Sequence, residues 1–424
     1  MIAFQPWITT LAVFVGNCGF WLFCFNRVNA WGLARRLTKV LEKLVMLACF
    51  AIPSLVLAVD WTQIIHWLWH THHWWPYESR LFDVWASGSL LSAAVLGPIW
   101  LESRRWIWPP PQLLDTQAQR YKVAQHIDGS STGTWSTALL DRIPGNEITQ
   151  LEVNRKQLQL GRNVPAIDGL RIAHISDLHF TGQLSLDHYH FVADRVLELD
   201  ADLIAITGDI LDYARYLPWV EPILGRLVAP LGCTFLLGNH DQRIAELNEL
   251  TDCLRHLGHH DLGVTDQYLK TAQGGLVFLT GNELPWFERH ANCHGGSRRD
   301  THPFESSIQR QSLANCDQAN LLTEPIPENA LRLGLSHSPD NIGWARRRQL
   351  DLLLAGHTHG GQVRIPGVGP LVAPSYYGSR FASGVFYRDP VLMHVSRGIA
   401  GTHPLRWRCL PEVSLLTLRV ATGA

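Results

Sequence analysis

The sequence predicts an α/β domain carried behind a helical membrane region, and three observations predict it. Twelve of the 17 Trp fall in residues 1–108 beside only eight basic and five acidic residues, whereas the rest of the chain carries 28 basic and 32 acidic ones. Three long apolar runs occupy that first quarter. Beyond residue 147, short apolar strands alternate with helical stretches, and polar residues able to bind ligands follow the strands directly.

The first run, Trp7–Phe25, holds 19 residues without a charge, enough to cross a bilayer core as one helix. Met1–Pro6 has no Lys or Arg, so the run lacks the basic start of a signal peptide and reads as an anchor. Leu44–Val59 is a second uncharged run that can continue to Leu68, with Asp60 expected near the far interface, and a third lies within about 82–101. Trp7, Trp61, Trp67, Trp69, Trp85 and Trp100 stand near the run ends, as an interfacial aromatic belt requires. His70, His72 and His73 fall between the second and third runs and read as interfacial polar residues. Arg27, Arg35, Arg36, Lys39 and Lys43 surround the first loop, and Arg104 and Arg105 follow the third run. By the positive-inside rule the N-terminus then faces out, and the globular domain faces the cytoplasm of a multi-pass inner-membrane protein. Eight cysteines without regular spacing or a CxxC pair make no disulfide framework and no structural zinc site.

Pro109–Pro110–Pro111 opens a polar stretch, residues 109–146, that reads as a linker or peripheral helix. The domain is expected over 147–424. Two short strands around Ile148–Val153 and Leu158–Leu160 come first. Strand Leu170–Ile175, a helix over about Leu186–Leu199, and strands Leu203–Thr207 and Cys233–Leu237 follow, implying parallel strands with right-handed crossovers. Runs at Leu276–Leu279, Leu331–Leu335, Leu352–Leu354 and Val391–Val395 imply a second sheet. The aperiodic segment Asn282–Asn329 reads equally as disorder or as a lid carrying Trp286 and Phe287.

The chemistry lies at the strand ends. Asp177 and His179 follow the Leu170 strand, Asp209 the Leu203 strand, and Asn239, His240 and Asp241 the Cys233 strand. His337 and then His357 and His359 follow two later strands. His179, Asp209 and Asn239 stand 30 residues apart in turn, one βαβ unit each, so one sheet edge gathers them. Imidazole and carboxylate without thiolate suit borderline divalent ions such as Mn, Fe or Zn. Two such ions would be nearly neutralised by Asp177, Asp209, one ionised water and a phosphodiester, the balance a two-metal hydrolase needs. A purely structural role is hard to sustain for acids and imidazoles stacked at one edge. His174, His188 and His190 read as structural, and Ser176 and Ser336 as turn residues outside any GxSxG elbow.

Asp-x-His, Gly-Asp, Gly-Asn-His-Asp, a lone His and Gly-His-x-His, in that order over about residues 168–415, resemble the calcineurin-like metallophosphoesterase family. The run AGHTHGGQVRIPGVG is similar to the membrane-associated YkuE/YaeI-type subgroup, which includes UDP-2,3-diacylglucosamine pyrophosphatases. The resemblance implies a calcineurin-like two-sheet α/β sandwich behind about three transmembrane helices. It implies that Asp177, His179 and His359 bind one metal, that Asn239, His337 and His357 bind the other, and that Asp209 bridges them. His240 would steady the phosphoryl group and protonate the leaving oxygen, with Asp241 orienting it.

The expected function is therefore a membrane-anchored phosphohydrolase cleaving a phosphodiester or pyrophosphate bond, with a lipid-linked substrate such as UDP-2,3-diacylglucosamine and membrane lipids as partners. The alternative is a catalytically silent membrane scaffold or sensor on the same fold, against which the complete ligand set argues. A net charge of −1 and no basic-aromatic stripe exclude nucleic acid as the main partner. The apolar runs Trp7–Phe25, Leu44–Leu68 and Val84–Leu101 hold a single Asp, Glu, Lys or Arg, Asp60 near an end, too few for a transport pathway. No protein partner can be inferred.

Overall fold

The computed structural model describes residues 4–75, 79–104, 109–289, 298–300, 326–401 and 403–420. The chain forms two compact units, one of residues 1–108 and 376–380 and one of residues 109–375 and 381–424.

The first unit is helical: α1 (Phe4–Ala30), α2 (Arg35–Val59), α3 (Trp61–His70) and α4 (Arg80–Arg104). Among the described residues three helices are long and apolar enough to cross a membrane, Phe4–Ala30, Arg35–Val59 and Arg80–Ser103. Their apolar surfaces face outward, with Leu11, Leu47 and Leu91 more than 60% exposed, while polar contacts lie inside. Asn17 donates to the Cys49 carbonyl (3.2 Å) and its side-chain oxygen accepts from Trp85 Nε1 (3.2 Å). Gly16 lets the backbone of α4 approach, since a Cβ there would meet Ser89 O at 1.9 Å. The expected run 44–68 is not one helix. It divides at buried Asp60, just past the end of α2, where Asp60 accepts a hydrogen bond from Ser79 Oγ.

The second unit is an α/β sandwich of two mixed sheets. The strands of these two sheets are β1 (Leu113–Lys122), β2 (Gln150–Gln159), β3 (Arg171–Ile175), β4 (Leu203–Thr207), β5 (Cys233–Leu236), β6 (His260–Asp261), β7 (Gln267–Lys270) and β8 (Leu276–Asn282). There follow β9 (Ala330–Ser336), β10 (Leu352–Ala355), β11 (Gly384–Arg388), β12 (Val391–Val395) and β13 (Glu412–Arg419). The first sheet runs β1-β2-β13-β3-β4-β5-β6 and the second β11-β12-β10-β9-β8-β7. β3 to β6 are mutually parallel, as are β8, β9, β10 and β12. Strand alternation explains the layers. Ile172, Leu203 and Leu236 face Leu279, Leu333 and Leu354 across the sheets. Ala173, Ile204 and Phe235 point the other way, under α6 (Leu186–Leu197) and its neighbours. Ser185 caps α6 by accepting from His188 N–H.

Two expectations need correction. Residues 113–122 are no linker: they form an edge strand paired antiparallel with β2, and α5 (Trp135–Asp141) follows. Nor are Ile148–Val153 and Leu158–Leu160 two strands. β2 is continuous because Asn154 and Lys156 are buried with partners on β13: Asn154 donates to Glu412 (2.8 Å) and Lys156 to Ser414 (3.0 Å). Of the expected lid, residues 290–297 and 301–325 lie outside the described residues.

Candidate metal centre

Both sheets end their parallel strands at one edge, and the polar turns after those strands converge there. β3 delivers Asp177 and His179, β4 delivers Asp209 and Asp212, and β5 delivers Asn239 and His240. The second sheet adds His337 after β9 and His357 and His359 after β10. Asp177, His179, Asp209, His357 and His359 all have φ between 47° and 70°. Side chains rarely adopt this left-handed region, and such strain clusters at functional sites. Glycine permits the crowding: a Cβ on Gly208 would meet His337 Nδ1 at 2.7 Å, and one on Gly356 would meet Asp177 Oδ2 at 2.5 Å.

Two groups of these side chains share Asp209, and a third joins His179, Asp212 and His240. Asp177, His179, Asp209 and His359 offer one ligand atom each, all within 4.8 Å of one another; Asp209, His337 and His357 do the same. His179 Nε2 lies 3.3 Å from His359 Nε2, and His337 Nε2 lies 3.1 Å from His357 Nδ1 and 3.2 Å from Asn239 Oδ1. Asp209 Oδ2 stands 3.5 Å from His179 Nε2 and 3.2 Å from His337 Nε2, yet it is buried without a hydrogen bond. His357 Nε2 is likewise buried and unpartnered. Buried polar atoms seldom go unsatisfied, and paired ring nitrogens this close need a proton or a cation between them. Divalent ions fit this donor set of imidazole, carboxylate and amide oxygen.

The outward ring atoms are fixed by the protein. His337 Nδ1 lies 2.7 Å from the Thr207 carbonyl and His359 Nδ1 lies 3.0 Å from the Ala400 carbonyl, which turns the Nε2 atoms toward the centre. Asp212 touches two rings at once: its Oδ2 is 2.7 Å from His179 Nδ1, and its Oδ1 contacts His240 Nδ1. Asp241, expected to orient His240, does not. Its carboxylate accepts backbone N–H bonds from Ile210 (2.9 Å), Leu211 (2.8 Å) and Gly238 (2.8 Å), so it braces the turn after β4 against the turn after β5. The contact predicted for Asp241 belongs to Asp212. Its only signal in the sequence is a carboxylate three residues after Asp209.

Charge in the cluster is strongly coupled. Burial alone would push His179 and His337 down. Asp212 and Asp209 outweigh it at His179, and Asp209 at His337, lifting each to about 9. Burial would raise Asp209, but His337, His240 and His179 hold it well below the usual carboxylate range. Burial followed by a neighbouring imidazole, His337 for His357 and His179 for His359, keeps those two rings neutral. Trp286 covers one side, its ring centroid 4.8 Å from that of His357. Arg406, also missed in the sequence, is fully buried and donates through Nη2 to the carbonyl that His359 uses.

A strand-edge cluster of this kind, two ligand groups sharing one carboxylate with a further histidine alongside, defines a metal-dependent phosphoesterase. The calcineurin-like phosphoesterase family matches residues 170–361, and the chain belongs to it. The chain is similar to the phosphodiesterase YaeI of Escherichia coli K12, 40% identical over 253 residues (58% of this chain, 82% of the relative). It is similar to the metallophosphoesterase YkuE of Bacillus subtilis, 29% identical over 256 residues (59% and 80%). It also resembles the UDP-2,3-diacylglucosamine pyrophosphatase LpxG of Chlamydia muridarum, 24% identical over 294 residues (63% and 88%). The protein is accordingly a phosphoesterase with three helices suited to a membrane.

Proposed function

We propose that the protein is a membrane-anchored phosphohydrolase that uses two divalent metal ions to cleave a phosphodiester or pyrophosphate bond of a lipid-linked substrate such as UDP-2,3-diacylglucosamine. The observation that carries this reading is Asp209 Oδ2, buried without a hydrogen bond and set between the ring nitrogens of His179 and His337. Asp177, His179 and His359 would hold one ion, Asn239, His337 and His357 the other, and Asp209 both. When bound, such a pair ionises a water at neutral pH and holds phosphate oxygens. His240 Nδ1 is engaged by Asp212, so Nε2 is the atom free to serve the substrate. There it would stabilise the phosphoryl group and give its proton to the leaving oxygen, while Asp212 steadies the charged ring. The basic residues around the first loop favour a domain on the cytoplasmic side.

The lipid preference is supported by the three candidate spans, more than a tether requires, and by what LpxG is named for. Full-length protein in detergent should carry about two equivalents of Mn, Fe or Zn and hydrolyse a lipid-linked pyrophosphate and a soluble model diester. Metal-replete protein inactive on both would refute the hydrolase. Activity on the diester alone would refute the lipid preference.

A further inference from the structure

Outside the metal cluster, the second unit exposes an apolar strip that its own core does not explain. On α5 and the turn after it, Trp135, Leu139 and Ile143 follow one another at spacings of four and are 81%, 56% and 45% exposed. That spacing puts Trp135 and Leu139 on one side of the helix, and Ile143 follows in the turn. The turn continues into Asn146, which bridges to Trp407, and Trp407 bridges in turn to Val363. Trp407 (38%), Val363 (38%) and Ile365 (40%) are themselves exposed. The strip thus runs without a break in the backbone network to the segment that leaves the ligand turn His357–His359, and Trp407 N–H donates to Gln362 O at 2.9 Å. Val363 thus stands four residues after the ligand His359 in the chain.

Its charges have one sign on the outside. Arg142 and Arg408 are exposed, and no ion pair engages either among the described residues. The neighbouring acids are turned inward: Asp141 accepts from Thr149 Oγ1 (2.8 Å) and Glu147 from Cys409 N–H (2.6 Å). Large exposed apolar patches mark interaction sites, and tryptophan and aliphatic side chains rimmed by arginine are the composition of surfaces that lie in a lipid interface. The same chain carries three helices suited to a bilayer.

We infer that the strip formed by Trp135, Leu139, Ile143, Trp407, Val363 and Ile365 is a bilayer-docking surface, seated in the headgroup region of an anionic membrane. It would bring the phosphate of a membrane-embedded substrate to the metal centre while the acyl chains stay in lipid. Arg142 and Arg408 meet anionic headgroups. The link to a lipid-borne phosphate rests on the hydrolase reading above; the membrane contact does not.

The test uses full-length protein in phosphatidylethanolamine–phosphatidylglycerol nanodiscs. An environment-sensitive fluorophore on Leu139→Cys, corrected for wild-type protein treated with the same reagent, should shift to the blue and be quenched by nitroxide-bearing lipid. The double variant Trp135→Ser/Leu139→Ser should lower the rate on an embedded lipid pyrophosphate, relative to the rate on a soluble diester, by about tenfold. A solvent-like, unquenched label overturns the docking surface. So does a label shielded from water but untouched by the lipid quencher and cross-linking to its counterpart, which would assign the strip to a second copy. An unchanged rate ratio overturns its role in delivering substrate. Lipid quenching in a protein inactive on both substrates upholds the surface and defeats the hydrolase instead.

Discussion

Replacing Asp212 with Asn tests whether the carboxylate shared by His179 and His240 serves chemistry or only packing. Asn preserves shape but removes the negative charge facing two ring Nδ1 atoms, one of them 2.7 Å away. Hydrogen bonds to charged groups contribute about 1.5–3 kcal/mol each. The loss falls on the charged ring of His240 in the reaction, so turnover should drop by roughly 10- to 150-fold at about 1.4 kcal/mol per decade. Binding of the ion held by His179 should weaken by about tenfold or more, the usual effect of removing a partner behind a ligand. The assay is single-substrate kinetics at saturating metal with two diesters, one losing p-nitrophenolate and one losing an alkoxide. A good leaving group needs little protonation, so the deficit should be several-fold for p-nitrophenolate and at the upper end of the range for the alkoxide. Equal deficits for both, with metal content restored, would show that Asp212 merely packs, and would sink the assignment of His240 as the acid.

Asp209→Ala should lose both ions by elemental analysis, whereas His240→Ala should keep them and lower turnover by about 100- to 10,000-fold; equal metal loss in the two would refute the division of roles. A C-terminal reporter active only outside the cytoplasm should be silent, and strong external activity would reverse the proposed orientation. His188 is fully buried with neither ring nitrogen partnered, so His188→Leu should stabilise the domain by about 1 kcal/mol in urea unfolding. Burial also holds His188 down to about 4 and His174 to about 3. Each is neutral when folded but takes a proton when unfolded below about pH 6.5. Stability is therefore fully present above pH 6.5 and falls toward pH 4 by up to about 1.4 kcal/mol per unit for each ring. His188→Leu should remove one ring's share of that slope, and an unchanged slope would contradict its neutral burial.

The alternation of strands and helices and the order of polar residues at strand ends were legible because they obey short-range rules. Leu203–Thr207 and Cys233–Leu237 are apolar runs buried on both faces, and each ends in a glycine turn followed by its ligand. Harder to read were segments whose character is set by distant partners. Leu113–Lys122 is polar on both faces because it is an edge strand largely open to solvent, so it shows no alternation. Asn154 and Lys156 interrupt the apolar pattern of β2, since their partners Glu412 and Ser414 lie 258 residues away. The break at Asp60 depends on Ser79, the residue just before α4.

The exchange of Asp241 for Asp212 follows from the same distinction between chain proximity and geometry. Asp241 adjoins His240 in the chain, but neighbouring residues in a tight turn point apart. Its side chain is consumed by three backbone N–H groups that the crossing of the two turns would otherwise leave buried and unpaired. Those bonds fix the turn after β4, and that turn sets Asp209 at φ 53° and carries Asp212 on toward the imidazoles. The left-handed backbone at Asp177, His179, Asp209, His357 and His359 is therefore stabilised from behind, by Asp241, by Gly208 and Gly356, and by the Asp177 carboxylate accepting His357 N–H at 3.1 Å. Asp241 acts on the centre through the backbone, and Asp212 acts through side chains. Asp241→Asn should consequently appear first as lost stability, with any loss of activity reflecting displaced ligands rather than a missing proton donor.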